Sequence, residues 1–141
     1  MINEITDGIS IKLNKLFGDD YNTYTEKVKQ GLQEPCFFIK SLKVMTNKLL
    51  RNRKERIYPF DIAYFTEGGN EEMMRVGEQM LDGLEYITLT NGDIVRCRSI
   101  DMDIVDDVLH VSVTYPMTLI GNEEKAEAMG TLIEIVGTKG D

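Results

Sequence analysis

Leu109, Val111, Val113, Tyr115 and Met117 occupy every second position of one run, with His110, Ser112, Thr114 and Pro116 between them. A period of two lays one apolar face along a strand and is not a helical period. Tyr58, Phe60, Ile62 and Tyr64 repeat the pattern earlier in the chain. Two strands with apolar faces need a layer packed over those faces, and the rest of the sequence has to supply it.

Two segments carry the helical period. Ile2, Ile5, Ile9, Leu13, Leu16 and Phe17 recur at three- or four-residue intervals, and Gly18-Asp19-Asp20 is a natural stop. Asn3 or Thr6 is the expected cap. The second helix follows Gly68-Gly69, with Asn70 as its cap and Glu71 and Glu72 in the first turn, where the helix dipole favours negative charge. Met73, Val76, Gly77, Met80 and Leu84 form its apolar stripe. Methionines suit adaptable binding grooves, but this spacing is that of a stripe facing a sheet, so core packing is the expectation.

The remaining segments read as strands and turns. Residues 19–34 are polar, with a short strand candidate from Tyr24 to Gln30. After Pro35, Phe37 and Ile39 lie on one phase and Leu42 and Val44 on the other, which predicts a bulge or twist near Ser41. This run and the one from Tyr58 to Tyr64 form a long hairpin with residues 48–56 at or near its tip. Pro59 cannot donate to a ladder, so it predicts an edge strand or a bulge there. Asn91-Gly92 is a strong hairpin signal. The strand after it changes from the Val95/Cys97 phase to the Ile100/Met102/Ile104 phase, predicting a second bulge near Arg98. Asp106-Asp107 then turns the chain. Residues 121–130 read as a loop or short helix, and "TLIEIVG" as a last strand. The expected fold is one α+β domain over residues 1–141, a mainly antiparallel twisted sheet with both helices on one face.

Composition excludes several classes. A chain of 141 residues with 42 % hydrophobic and 28 % charged residues is globular. It has no run of roughly 20 apolar residues to cross a bilayer and no secretory leader at its start. Cys36 and Cys97 stand far apart in apolar context and read as free thiols. The net charge of −8 argues against bulk attraction to DNA. That charge is uneven: Lys48, Arg51, Arg53, Lys54 and Arg56 against Glu55 give +4, leaving −12 for the rest of the chain. The basic stretch lacks the aromatic interleaving of a nucleic-acid platform. A solvated tip and a protein–protein contact through Arg51, Arg53, Lys54 and Arg56 both stay open.

No segment carries a recognisable catalytic set. Asp101, Asp103, Asp106 and Asp107 are close in sequence, but they lack the central glycine and distal glutamate of a calcium loop. Asp101 and Asp103 alternate with Ile100, Met102 and Ile104 and so face solvent. His110, the single histidine, falls on the phase opposite Leu109 and Val111 and points away from the core. It has no partner set for acid–base work in the sequence. Gly68-Gly69 before a helix lacks the lysine and hydroxyl of a phosphate loop.

The leading helix, "CFFIKSLKVMTNKLLRNRKERIYPFDIAYF", the second helix, "LTNGDIVRCRSIDMDIVDDVLHVSVTYPM" and "MGTLIEIV" together resemble the tail terminator family of tailed phages and prophages. The likeness is strongest to members from contractile-tailed elements of Gram-positive bacteria, including phage-tail-like bacteriocins. The resemblance implies a structural virion subunit, assembled in the bacterial cytoplasm. Such a subunit closes into a hexameric ring on the head-proximal end of the tail tube, stops tube growth and presents the head-joining surface. Its implied partners are its own copies, the tail tube protein, and sheath and neck or connector proteins. DNA is only passing cargo and no membrane is involved. The resemblance implies no enzyme activity and no cofactor. Three other readings stand beside it. One is a head-completion or connector protein of the neck. Another is a small metal-dependent enzyme using the Asp101–Asp107 carboxylates. The third is a regulatory or chaperone module contacting a partner through the methionine-bearing helix.

Overall fold

The computed structural model describes residues 1–25 and 33–121. The first helix, α1 (Ile2–Phe17), buries Ile5, Ile9 and Leu13, with Ile2 and Phe17 packed at the margin of the core. Met1 holds the cap position, so Asn3 and Thr6 lie inside the helix rather than capping it. Thr6 Oγ1 instead donates to Ile2 O at 2.9 Å. Gly18, at φ 89°, ends the helix, its N–H donating to Asn14 O.

The strands are β1 (Asn22–Thr25), β2 (Cys36–Ser41), β3 (Met45–Lys48) and β4 (Arg53–Phe65), then β5 (Tyr86–Thr88), β6 (Ile94–Arg96), β7 (Ser99–Val105) and β8 (Val108–Ile120). The main sheet runs β1-β2-β4-β8-β7, and β3 pairs with β4 beyond β2. Among the described residues, only the β1–β2 pairing is parallel in this sheet. Of the strand expected from Tyr24 to Gln30, residues 26–30 lie outside the described residues; the strand found is Asn22–Thr25. Residues 122–141, with the expected last strand, lie outside them too.

Pro59 stands in a central strand, between β2 and β8, not at an edge. The other alternative, a bulge, is what the register shows. Residues 42–44 lie opposite only Tyr58 and Pro59, because Ser41 pairs with Phe60 and Met45 with Ile57. The missing N–H of Pro59 therefore falls where the ladder is already interrupted, and its carbonyl accepts Leu42 N–H at 2.9 Å. The phase change near Arg98 coincides with a change of sheet, and there Arg98 N–H donates to Thr114 O at 2.7 Å while Ser99 pairs with the same Thr114, two residues opposite one as in a bulge. β6 pairs with β5 in a separate two-stranded sheet, and the chain passes into the main sheet from Arg98 on, as β7. Asn91-Gly92 turns the β5–β6 hairpin as expected, with Gly92 at φ 97°.

The second helix, α2 (Asn70–Gly83), buries Met73, Val76, Gly77 and Met80. Core packing is thus the role of this stripe. Gly69 holds the cap position and no side chain caps the start; Glu71 and Glu72 occupy the first turn. Glu72 Oε2 accepts from Tyr64 Oη at 2.5 Å and from Thr66 Oγ1 at 3.0 Å, tying the helix to the end of β4. At Gly77 a Cβ would meet Met102 Sδ at 2.4 Å and Leu109 Cδ1 at 3.3 Å, so glycine lets α2 approach β7 and β8 closely. Phe17 packs against Phe37 with ring centroids 5.1 Å apart and the rings tilted at 37°, which sets α1 against β2 on that same sheet face. Both helices therefore cover one face of a mostly antiparallel sheet, the α+β arrangement expected. Cys36 and Cys97 are free thiols, the first buried and the second half-buried. Burial pushes both thiols up from their ordinary pKa.

Candidate functional site

β4 and β8 are each 13 residues long and pair from Arg53–Ile120 to Tyr64–Leu109. The core uses Tyr58, Phe60, Ile62 and Tyr64 of one and Leu109, Val111, Val113 and Tyr115 of the other. The remaining halves, residues 53–57 and 116–120, run on with β3 as a three-stranded arm. All four residues of β3 are exposed. The turn at the end of the arm closes with Leu49 N–H donating to Arg53 O at 2.9 Å, and Arg51 takes φ 65° within it. Gly121 N–H donates to Asn52 O at 2.6 Å and fastens the end of β8 to this turn.

The basic residues are distributed along the arm rather than gathered in its turn. Arg51 is in the turn, while Arg53, Lys54 and Arg56 are on β4. Glu55, the one acid among them, is engaged by Arg98: Nη1 donates to Oε1 at 3.2 Å and Nη2 to Oε2. This guanidinium holds the Glu55 carboxyl below the usual carboxylate range. Arg56 Nε donates to Thr46 Oγ1 at 2.9 Å. Among the described residues, no carboxylate pairs with Lys48, Arg51, Arg53, Lys54 or Arg56. The arm also exposes apolar side chains. Leu50 is 83 % and Ile120 75 % exposed, with Met45 and Leu49 beside them. Leu49 and Leu50 adjoin the basic run in the sequence; their exposure follows from the arm outrunning the helices, which periodicity does not encode. The Arg98–Glu55 pair spans 43 residues and has no local signal.

At the opposite edge of the sheet, Asp101 and Asp103 are exposed on β7, and Asp106 and Asp107 form the two-residue turn with φ 53° and 62°. Both positive φ values are those of a tight hairpin whose twist matches its strands. Among the described residues, no group of three or more His, Cys, Asp and Glu side chains is placed to hold a metal ion. His110 lies on the sheet face away from the helices, half-buried, with Nδ1 3.0 Å from Asp61 Oδ2. Asp61 is the orienting partner that the sequence did not reveal. Among the described residues, no hydroxyl or thiol is hydrogen-bonded to His110.

The described surface thus carries a basic, leucine-bearing arm on one side of the sheet and an acidic edge strand on the other. Among the described residues, no helix is long and apolar enough to cross a membrane. No curated protein matches the chain. The family model described as phage tail terminator protein matches residues 4–127, which include every element from α1 through β8 apart from the first two residues of α1. The chain belongs to the phage tail terminator protein family and is a structural, virion-associated component that works with other tail proteins.

Proposed function

We propose that the chain, as one domain over residues 1–141, forms a hexameric ring on the head-proximal end of a tail tube. The ring ends tube growth and offers the surface to which a neck or head attaches. The match to the terminator family over residues 4–127 carries this reading. The arm supports it: an extension of the sheet with exposed leucines, and with cations that no carboxylate pairs among the described residues, has little use in an isolated monomer. Its contacts are made through Arg51, Arg53, Lys54 and Arg56. The partners are further copies of the chain, the tail tube protein, and sheath and neck proteins; DNA only passes through the ring where the particle has a head. In this reading the particle is a contractile-tailed element of Gram-positive bacteria, bacteriocin particles included, which the likeness of the strand sequences supports.

The test is to image purified particles and count copies of the chain at the tube end. Six copies in one ring next to the tube end support the reading. A single copy per tail, or copies spread along the tube, rejects it.

A further inference from the structure

The ring needs two different surfaces on each copy, because a closed ring of more than two subunits is joined head to tail. Resting on that reading, we infer that the tip of the β3–β4 arm of one copy seats along the β7 edge of the next, with Arg51 and Arg53 against Asp101, Asp103 and the Asp106-Asp107 turn.

Three observations meet here. The first is position. β3 and β7 bound the same sheet on opposite sides of the β4–β8 pair, and neither has a second strand partner among the described residues. A contact from one to the other therefore propagates in one direction around a ring. The second is charge. Among the described residues, no ion pair reaches Arg51, Arg53, Asp101, Asp103, Asp106 or Asp107. Glu55, which would have weakened the basic set, is already occupied by Arg98. A tip-to-tip dimer would oppose like charges, whereas tip to edge joins opposite ones. The third is facing. Arg53 pairs in register with Ile120, two residues from Glu55 and four from Ile57, on the sheet face away from the helices. Asp101 and Asp103 alternate with the partly buried Ile100, Met102 and Ile104 and share that outer face. Apolar contact accompanies the charge, since Leu50 on the tip and Val105 on the edge are both exposed.

The edge itself favours one mode of contact. Val105 and Val108 flank a two-residue turn, so Ile104 turns its N–H away from β8. Asp103 Oδ1 takes that N–H at 2.9 Å. One outward N–H of the edge, next to its turn, is thereby taken by the strand's own carboxylate, which works against an added strand at that end. The neighbour is met through side chains, not by an added strand.

The test is charge exchange in the full-length chain, scored by its incorporation into tails in cells lacking the native copy. Arg51→Glu with Arg53→Glu, and separately Asp101→Lys with Asp103→Lys, should each lower incorporation about tenfold or more, as two attractive pairs become repulsive. Combining all four changes in one chain should restore it. Co-expressing the two reversed chains should restore it as well, since an even-membered ring can alternate them. The neutral pair Arg51→Gln with Arg53→Gln should give an intermediate loss, and it keeps the test valid if a reversal fails to fold. If the tip reversal blocks assembly while neither combination restores it, the tip binds elsewhere; this pairing is wrong, and the ring, counted separately in wild-type particles, stands. If wild-type particles hold no ring, both fall.

Discussion

Replacing Tyr115 by phenylalanine tests how the helical layer is fixed to the sheet. Tyr115 is fully buried on β8, and its hydroxyl donates to Leu84 O at 2.7 Å. Leu84 is the residue that ends α2, so this bond ties the end of the helix to the centre of the sheet. Phenylalanine keeps the ring and its packing against Phe60, whose centroid lies 6.5 Å away. No cavity of consequence opens. What changes is one hydrogen bond, and what remains is a buried carbonyl without its donor. Such a group costs about 1–3 kcal/mol. For a domain near this size each kcal/mol lowers Tm by about 2–4 °C. The expected fall in Tm is therefore about 2–12 °C. Urea unfolding of the two proteins should show a lower midpoint with unchanged slope. Tyr86→Phe is the control, because that ring is about half exposed on β5, and it should stay within about 0.5 kcal/mol of wild type. If Tyr115→Phe matches the control, the hydroxyl does not hold α2 and the reasoning fails.

Met80→Ala should destabilise by about 2–5 kcal/mol, since Met80 is fully buried in the α2 stripe; chemical denaturation measures it, and a change below about 1 kcal/mol would mean that the core closes over the gap. Burial raises the Tyr64 and Tyr115 phenols well above their ordinary pKa. Their folded values exceed the unfolded one, near 10, so their contribution is intact below about pH 10 and declines as pH rises above it. Urea midpoints taken at stepped alkaline pH should fall from there, and Tyr115→Phe should flatten the fall. Asp101→Ala with Asp103→Ala should leave monomer stability within about 0.5 kcal/mol, because both side chains face solvent; thermal melts that show a loss of several kcal/mol would place them in a buried or ligated setting.

Residues whose period was unbroken foretold their places. Tyr58 to Tyr64 and Leu109 to Tyr115 line the core, and Met73, Val76 and Met80 pack as a sheet-facing stripe. The turns at Asn91-Gly92 and Asp106-Asp107 were equally legible, because backbone conformations with positive φ demand particular residues. Breaks in period were legible only as breaks. The shift between Ile39 and Val44 is a one-residue surplus against β4, but the shift at Arg98 is a change of sheet. Alternation looks the same in both cases, because it records which side is apolar and not which strand lies alongside. Pro59 misled in part: a missing donor is tolerated in a central strand where a bulge already opens the ladder. Helix caps at Asn3 and Asn70 failed by one or two positions, within the usual play of helix ends. At the candidate surface the basic run was plain in the sequence. Its reach past the helices, the capture of Glu55 by Arg98 and the Asp61–His110 pair were not, since each depends on contacts across strands distant in the chain.

The central claim is that this chain ends tail growth. The length distribution of tails made without it, measured in electron micrographs, tests that claim directly. Loss of the chain should leave tubes without a stop, giving tails of irregular and excessive length that shorten to one value when the chain is resupplied. Tails of uniform, normal length in its absence would contradict the account.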